Sequence, residues 1–238
     1  MFTTVNFKFT SEHSTCGRHR VLLTEAMVKA ASETGWRGSP ELWLEAAYDL
    51  LLESGVDAVR ILPLASKLKL SRTSFYWFFK DREQLLDALL QRWRDKNTGN
   101  FLKQANAYAE SLVEAILNVS DCWFDTALFD SRLEFAIRSW ALQSQQVQAD
   151  VRRADDMRLA ALTDVFRRFG HDDLSADVRA RTIYLLQIGY ISMQTSEPMA
   201  LRMSRMPKYV EIYADVVPTR REMDRFYARH NHIAGTGE

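Results

Sequence analysis

The side chains with the clearest chemical potential lie in one short segment, Ser71-Arg72-Thr73-Ser74. An arginine guanidinium can donate two hydrogen bonds to guanine, and threonine and serine hydroxyls can bond to several base edges. The segment opens a predicted short helix, for which Ser71 is a favourable N-cap. These residue types at the start of a helix predict that Arg72, Thr73 and Ser74 contact DNA bases.

An aromatic run, from Phe75 to Phe79, follows the polar segment directly. It is too long for one buried helix face, so we predict that Phe75 and Phe79 point inward and that Tyr76 can place its hydroxyl on a phosphate. Lys80 and Arg82 flank the start of the next helix and are predicted to contact the same strand. The alternative is that the run only forms the core of a small domain. A role in the core explains part of the aromatic run, but it does not explain why polar and basic residues cluster around one short helix.

Charge is distributed unevenly, although the chain has a formal net charge of zero. Between residues 60 and 82 there is one acidic residue, Asp81, against six basic residues: Arg60, Lys67, Lys69, Arg72, Lys80 and Arg82. A compact basic segment is a local electrostatic footprint for nucleic acid. On charge alone, an ordinary solvated helix face is the favoured explanation, and it stays open at this point.

Short helices surround the polar segment. The spacing of apolar residues predicts a helix over 41–54, a second over 60–69 and a third over 72–78. Asp81 is the predicted N-cap of a fourth helix. Two short helices joined by a tight turn form a DNA-binding unit when the polar face of the second is exposed. The sequence therefore predicts a helix-turn-helix at about residues 58–80.

The stretch from Leu44 to Leu90 resembles the DNA-binding domain of the tetracycline-repressor (TetR) family. The residues that carry the resemblance are Ala46-Ala47, Leu50-Leu51, Gly55, the run from Leu64 to Glu83, and Leu85-Leu86. The stretch covers about a fifth of the chain. The aromatic pair before Lys80, followed by an acid-started helix with paired leucines, makes the resemblance specific.

The resemblance implies roles for individual residues. The family's base-reading positions are matched by Arg72, Thr73 and Ser74. Its phosphate-contacting positions are matched by Tyr76, Lys80 and Arg82. Lys69 stands where the family usually has glycine in the turn, so either Lys69 adopts a left-handed conformation or the turn differs. Leu62-Pro63 stands where a basic or polar residue often contacts phosphate, and Arg60 is the candidate replacement.

The rest of the chain predicts a larger helical body. Amphipathic helices are expected over 101–119, 121–129, 131–143, 146–169, 175–196 and 199–216. Breaks are predicted at 97–100, at 170–173 with Ser175 as the following cap, and at 197–198. The predicted fold class is all-α, with a three-helix helix-turn-helix domain followed by a larger domain to which the resemblance assigns ligand binding and dimerisation. The expected parts are an extension (1–39), the DNA-binding domain (40–96), the effector and dimerisation domain (97–217) and a tail (218–238).

The resemblance implies a homodimer in which two late helices, here about 152–169 and 175–196, pair with those of a second copy. The candidate interface residues are Leu159, Leu162, Phe166, Phe169, Ile183, Leu186, Tyr190 and Met193. Symmetric pairing is the commonest oligomeric arrangement. From the residues alone, helices that only close the monomer core are about equally plausible.

The resemblance also implies a cavity for a small-molecule effector, whose identity the sequence does not give. The candidate lining residues are Trp123, Phe124, Phe135, Trp140, Tyr184 and Gln187. Taken singly, each is more plausible as ordinary core. Glu134 and Arg138 lie four residues apart and are expected to form an ordinary surface ion pair.

Other functional classes leave no mark in the sequence. Cys16 and Cys122 match no metal spacing, and none of the five histidines pairs with an acid at metal-binding spacing. Nucleotide-binding and hydrolase motifs are absent. We therefore expect no enzymatic activity, no cofactor and no metal site. We see neither a signal peptide nor an apolar run of membrane-spanning length, so we expect no membrane partner and a cytoplasmic location.

Together these expectations describe a transcriptional regulator. It would bind a palindromic operator in double-stranded DNA as a homodimer and act as a repressor that a small-molecule effector releases. The alternatives are a helical adaptor or an enzyme that keeps the fold without operator binding. The extension over 1–39 could be an arm that follows a DNA groove, or a tail that binds nothing.

Overall fold

The computed structural model describes residues 37–232, and within this range it contains eleven α-helices and no β-strand. The helices are α1 (Pro40–Ser54), α2 (Ile61–Leu68), α3 (Arg72–Phe75), α4 (Arg82–Trp93), α5 (Asn100–Ala105), α6 (Leu112–Phe124), α7 (Ser131–Ala141), α8 (Gln145–Arg168), α9 (Asp173–Ser192), α10 (Met199–Ala214) and α11 (Arg220–Arg229). The predicted all-α class is confirmed over these residues. Most of the predicted extension lies outside the described residues. No described helix has both the length and the apolar character needed to cross a membrane.

The first of two hydrophobic cores lies within α1 to α4. α1 begins at a cap in which the Ser39 side chain accepts a hydrogen bond from the Leu42 amide at 3.2 Å, with Pro40 in the first turn. It ends at Gly55, whose φ of 78° favours glycine. The fully buried side chains of these helices include Trp43, Leu51, Leu64, Phe75, Leu85, Leu89 and Trp93. This core continues onto α7 and the first half of α8.

The break predicted at 97–100 is wrong, because α4 continues through a π-helical turn, Arg94–Gly99, directly into α5. Asn97 and Thr98 are buried in this turn. Their polar side chains suggested a loop, but they bond to groups in the protein interior. The Thr98 hydroxyl, for example, accepts a hydrogen bond from Arg158 Nη2 at 2.8 Å. π-Helical turns inside α-helices frequently lie at functional sites.

A buried ion pair lies beside this turn. Arg158 Nη1 of α8 is 2.9 Å from Glu134 Oε1 of α7, and both side chains are fully buried. Glu134 also accepts hydrogen bonds from the Trp93 indole N–H at 2.6 Å and the Asn97 amide at 2.9 Å. Burial acts to raise the pKa of Glu134, but the guanidinium groups of Arg158 and Arg138 outweigh burial and lower the pKa to about 2. The carboxylate therefore stays ionised in the folded protein.

The expected ion pair of Glu134 and Arg138 forms, but it does not lie on the surface, because Glu134 is fully buried. Arg138 Nε donates to Glu134 Oε1 at 3.0 Å, and Arg138 Nη1 donates to Asp155 Oδ2 at 3.1 Å. The Tyr184 hydroxyl donates to Asp155 Oδ1 at 2.6 Å and accepts from Arg158 at 3.1 Å. Together with Trp93, these residues connect α4, α7, α8 and α9 through one polar network.

The second core is formed by the helices from α5 onward. The helices predicted over 101–119 and 121–129 are instead α5, a loop and α6, which begins at its N-cap Ser111. The cap of α9 is Asp172 rather than Ser175, and its carboxylate accepts a hydrogen bond from the Ser175 amide at 2.9 Å. The loop before α6 was missed, whereas the break before α9 was predicted and only its capping residue was wrong.

The segment predicted as a tail, 218–238, contains α11. This helix begins with a capping box, in which the side chains of Thr219 and Glu222 each accept a hydrogen bond from the other's backbone amide. Its apolar side chains pack in the second core, and they are Met223, Phe226 and Tyr227. Their spacing is helical, but the many charged residues around them made the segment resemble a solvated tail.

The buried pair predicts strong energetic coupling between Glu134 and Arg158. Arg158→Met leaves the Glu134 carboxylate buried with fewer partners, and we expect it to lower the free energy of unfolding by about 3–5 kcal/mol. The Glu134→Met/Arg158→Met double variant should lose less free energy of unfolding than the two single variants lose together, because no buried charge then remains without its partner. Urea unfolding measures all three. Arg181→Met, on the exposed face of α9, is the control and should change stability little. Additive losses would contradict the coupling.

Acid should weaken the folded state through the same carboxylate. The pKa of Glu134 is about 2 in the folded chain against an ordinary value of 4.5. Its stabilisation, on the order of 3 kcal/mol, is therefore complete above about pH 4.5 and is lost as the pH falls towards 2. Glu134→Gln lacks this titration, so the difference in unfolding free energy between the wild type and Glu134→Gln should shrink over that range. A difference that stays constant down to about pH 2.5 would contradict the assignment.

Candidate functional site

α2 and α3 form a helix-turn-helix. α2 packs against α1 through its buried face, and Lys69 makes the turn that follows, with φ 54° and ψ 36°. Of the two alternatives stated for Lys69, the left-handed conformation is therefore confirmed. The Leu70 amide donates to the Ala65 carbonyl at 3.0 Å, which closes the end of α2.

α3 is shorter than the predicted 72–78, because residues 76–78 form a turn after Arg72–Phe75. The Phe75 ring is fully buried, lies edge-on to Trp43 with centroids 5.3 Å apart, and stacks on Phe79 at 5.5 Å. The predicted inward orientation of Phe75 and Phe79 is confirmed. These aromatic contacts fix the orientation of a helix that is too short to be stable alone.

The three residues predicted to contact bases do not share one environment. Arg72 and Thr73 are exposed at the start of α3, and Arg72 Nη2 donates to the Tyr76 hydroxyl at 3.1 Å. Ser74 is only 7% exposed. Its amide donates to Ser71 Oγ at 3.2 Å, and the two hydroxyls are 2.9 Å apart. Ser74 therefore supports the cap of α3, and its burial argues against the base contact predicted for it.

The residues predicted to contact phosphate divide in the same way. Lys80 and Arg60 are exposed, and within the described part of the chain neither forms an ion pair. Arg82 instead donates from Nε to the Val59 carbonyl at 2.6 Å and from Nη2 to the Val56 carbonyl at 2.8 Å. These bonds attach the start of α4 to the 3-10 turn that precedes α2. The guanidinium predicted to contact phosphate is thus already engaged.

Two residues beside α3 had no role predicted from the sequence. Trp77 is 62% exposed, and the Arg37 guanidinium lies 4.0 Å from the centre of its indole ring. The sequence did not predict that Trp77 is exposed, because Trp77 lies within the aromatic run. No spacing pattern in the sequence pointed to Arg37. Lys67 lies 3.3 Å from Asp49 of α1, so its charge is partly neutralised. Among the described residues, the exposed cations of the basic segment that form no ion pair are Arg60, Lys69, Arg72 and Lys80.

A cleft of about 450 Å³ lies among α1, α6, α7, α9 and α10. Three of the predicted effector residues line it, namely Trp123, Phe135 and Gln187. Phe124 lines a neighbouring recess of about 30 Å³, to which Gln187 also belongs. Two of its lining residues, Leu52 of α1 and Ala136 of α7, pack against the first core.

Two of the predicted effector residues lie elsewhere. Tyr184 is buried in the polar network, where its hydroxyl donates to Asp155, and burial raises its pKa. Trp140 packs against the first core. Both are therefore structural residues in this arrangement, and neither borders the cleft.

Neither a metal-binding cluster nor a reactive Cys122 thiol is found among residues 37–232. No three His, Cys, Asp or Glu side chains in that range are grouped to hold a metal ion. Burial raises the pKa of the Cys122 thiol to about 12, so it is protonated and unreactive at neutral pH.

Residues 44–89 match the family model of the bacterial regulatory proteins of the tetR family. The chain carries a TetR-family helix-turn-helix domain. The resemblance drawn from residues 44–90 is thereby confirmed. The tetracycline repressor protein class A from transposon 1721 of Escherichia coli is 34% identical over 67 residues, which are 28% of this chain and 31% of that protein. The uncharacterized HTH-type transcriptional regulator YdeS of Bacillus subtilis (strain 168) is 32% identical over 80 residues, which are 32% of this chain and 40% of that protein.

The matches to these two relatives thus span only about a third of their length. A solved structure from Mesorhizobium loti MAFF303099, described as a TetR-family transcriptional regulator, aligns with 80% of this chain and 95% of its own, with a TM-score of 0.51 and 16% identity. That likeness extends the shared fold beyond the TetR-family domain.

The residues predicted to form a TetR-type dimer interface are mostly inside the protomer. Leu162, Phe166 and Ile183 are buried in the second core, so they cannot make the predicted contact. Leu159, Phe169 and Leu186 pack partly against that core, and the Tyr190 hydroxyl is 3.0 Å from the Tyr209 hydroxyl. Of the predicted set only Met193 is largely free, at 80% exposure. The apolar residues chosen on these two helices therefore lie mostly on the faces that meet the protomer's own core.

The left-handed conformation of Lys69 predicts backbone strain at the turn, and replacing Lys69 with glycine tests for that strain. Lys69→Gly relieves a conformation that costs a residue with a side chain about 1–2 kcal/mol, but it also increases the freedom of the unfolded chain by about 0.5–1 kcal/mol. We expect a net gain of up to about 1 kcal/mol in the free energy of unfolding. The control, Lys67→Gly inside α2, should lose about 1 kcal/mol. A loss in both variants, measured by urea unfolding, would exclude strain at the turn.

Proposed function

We propose that the chain is a sequence-specific DNA-binding transcriptional regulator. The observation that carries the proposal is the exposure of Arg72 and Thr73 at the start of a recognition helix held by the buried ring of Phe75. Polar side chains on a fixed short helix can enter the major groove, where base edges are distinguishable. Lys80, Arg60 and Tyr76 are the proposed phosphate contacts around it, and their charge and hydroxyl groups suit that role.

The proposed DNA-contacting residues differ from those predicted from the sequence. They leave out Ser74 and Arg82, whose polar groups are engaged within the fold. They include Trp77 and Arg37, which lie next to α3 and could contact the sugar-phosphate backbone. We keep residues 40–96 as the proposed DNA-binding domain, although its core is shared with α7 and α8.

The proposed regulator is a homodimer that pairs through the outer faces of α8 and α9. On α9 the exposed apolar residues Leu174, Val178 and Leu185 follow a spacing of four and seven, which places them on one face. Met157 is an exposed apolar residue of α8. Unpaired apolar faces on a soluble surface are typical of association sites. Two copies related by a two-fold axis would present two recognition helices to successive major grooves.

The cleft among α6, α7, α9 and α10 is the proposed effector site. On this proposal a small molecule in the cleft favours a domain arrangement in which the two recognition helices no longer fit the operator. The protein is then a repressor that its ligand releases, and it acts in the cytoplasm, where bacterial chromosomal DNA lies. We propose no enzymatic activity.

The experiment that tests the proposal is selection of bound duplexes from a random pool with the purified full-length chain at moderate salt. Recovery of a palindrome, with half-sites about one helical turn apart or slightly more, would support a dimeric regulator. Retention of DNA without sequence enrichment, or no retention, would contradict sequence-specific binding.

Individual residues predict distinct effects on operator binding. Arg72→Ala should weaken binding by about 1–3 kcal/mol and relax the base preference at one position per half-site, because its guanidinium no longer bonds to a base edge. Lys80→Ala should weaken binding to every sequence and reduce the slope of log affinity against log salt by about one unit for each phosphate that the lysine neutralises. Fluorescence anisotropy with labelled operator measures both.

Arg82→Ala is the matched control for Lys80→Ala. It should lower thermal stability, because it removes two hydrogen bonds to backbone carbonyls, and leave the salt slope of the folded protein unchanged. A reduced salt slope in Arg82→Ala, with a normal slope in Lys80→Ala, would reverse the two assignments.

A further inference from the structure

Positively charged side chains line the cleft. Two arginines, Arg132 of α7 and Arg202 of α10, line it, and no carboxylate is among its lining residues within the described part of the chain. Arg132 is exposed and Arg202 is partly buried. A site with this charge favours an anion over a cation or a neutral molecule.

Arg202 is a partly buried cation that forms no ion pair within the described residues. Its Nη2 donates to the Trp123 carbonyl at 2.8 Å, and its guanidinium lies over the Phe124 ring at 4.6 Å. Glu197, in the neighbouring recess, pairs instead with Arg205 at 2.7 Å. Within residues 37–232 no carboxylate oxygen lies within ion-pairing distance of Arg202, so part of its hydrogen-bonding capacity is unused.

The contrast with Arg158 indicates what is missing at Arg202. Burial acts to lower the pKa of Arg158, but Glu134 outweighs burial and the pKa is raised. Burial lowers the pKa of Arg202, and the more distant Glu197 compensates only in part. Burying a charge is unfavourable unless the charge is paired. A ligand carboxylate would supply the pairing that the protein supplies at Arg158.

Three aromatic residues are among the other residues that line the cleft. Trp123, Phe135 and Tyr190 contribute rings, and Gln187 and Thr195 contribute neutral polar groups. The volume of about 450 Å³ lies within the range of small-molecule sites. Flat rings beside a partly buried guanidinium suit a planar molecule with an acid at one end, because a guanidinium fork matches a carboxylate.

We propose that the cleft binds a planar aromatic carboxylate, with the carboxylate on Arg202 and the ring against Trp123 and Phe135. This inference rests on the proposed function, because it names the chemical class of the effector. The recess beside Arg202 adds a second feature. Glu197 Oε2 is buried there and has no hydrogen-bond donor within the described residues. The recess, of about 30 Å³, has room for a hydroxyl group, so hydroxylated acids are the best candidates.

Leu52 connects this ligand to the DNA-binding domain. It belongs to α1, whose other side chains form the core beneath the recognition helix, and it lines the cleft together with Phe135 and Ala136 of α7. A ring against Phe135 would occupy the cleft that Leu52 also lines, and it would thereby change how α1 packs on α7. An aromatic acid should therefore lower operator affinity as well as bind.

The test uses three hydroxynaphthoates as probes (1-hydroxy-2-, 3-hydroxy-2- and 6-hydroxy-2-naphthoate), each with its methyl ester, and 2-naphthylmethylammonium as the cationic counterpart. Calorimetric titration of the full chain without DNA measures affinity. We expect at least one acid to bind, its ester to bind at least ten-fold more weakly, and the ammonium compound to bind no better than the ester. Failure of all three acids at millimolar concentration, or preference for the esters or the cation, would overturn the proposal.

Variants locate the site. Arg202→Met should weaken acid binding at least ten-fold and leave ester binding within about two-fold, and Arg202→Lys should recover part of the acid affinity because it keeps the charge. Arg221→Met, an exposed arginine of α11 outside the cleft, is the control and should bind like the wild type. Circular dichroism melts establish that each variant is folded. Equal acid affinity in the wild type, Arg202→Met and Arg202→Lys would place the acid elsewhere and overturn the assignment.

Two readouts separate this inference from the proposed function. Acid binding is measured without DNA, so it stands or falls independently of operator recognition. If the acid binds through Arg202 while the selection yields no operator, the site is supported and the regulatory function is contradicted. If an operator is found and no acid binds, the ligand class is wrong and the DNA-binding function stands.

Discussion

The ionised carboxylate of Glu134 lies in the protein interior, and the surrounding structure is arranged to satisfy it. An isolated carboxylate in that position would be very costly, so every oxygen lone pair must find a donor. The donors come from Trp93 and Asn97 on the helix that follows the recognition helix, and from Arg138 and Arg158 on α7 and α8. Because these donors come from different parts of the fold, the relative positions of α4, α7 and α8 are fixed by one side chain.

α7 is consequently the helix through which the two cores communicate. Glu134 faces the network that includes Trp93 of α4, and the next residue, Phe135, lines the cleft. A displacement of α7 by a ligand beside Phe135 would also displace the carboxylate that holds α4. The same helix contacts α1, which contributes Leu52 to the cleft. On the proposal that the cleft binds an effector, the ligand would act on the DNA-binding domain directly through α1 and α7.

The sequence predicted the helix-turn-helix well because its signals are local. Caps such as Ser71 and Asp81 act within one turn of helix, and the inward position of Phe75 follows from helical spacing. It failed where a polar side chain has a distant partner. Thr98 bonds to Arg158, sixty residues away, and its segment was predicted to be a loop. Arg82 bonds to backbone carbonyls more than twenty residues away, and it was predicted to be on the surface. For α8 and α9, periodicity identified an apolar face but not whether that face meets the protomer's own core or a second copy.

The π-helical turn Arg94–Gly99 allows one continuous helix to serve both cores. Buried residues recur along it at intervals of four, at Trp93, Asn97, Phe101 and Ala105. In a regular α-helix of 3.6 residues per turn, each such step would rotate the buried position by about 40°. The wider turn absorbs part of that rotation, so that α4 faces α1 and α7, whereas α5 faces α6 and α8. Register along this helix is therefore a shared property of both domains. Deletion of a single residue in the turn would rotate one core's packing surface relative to the other, even though every other side chain was kept.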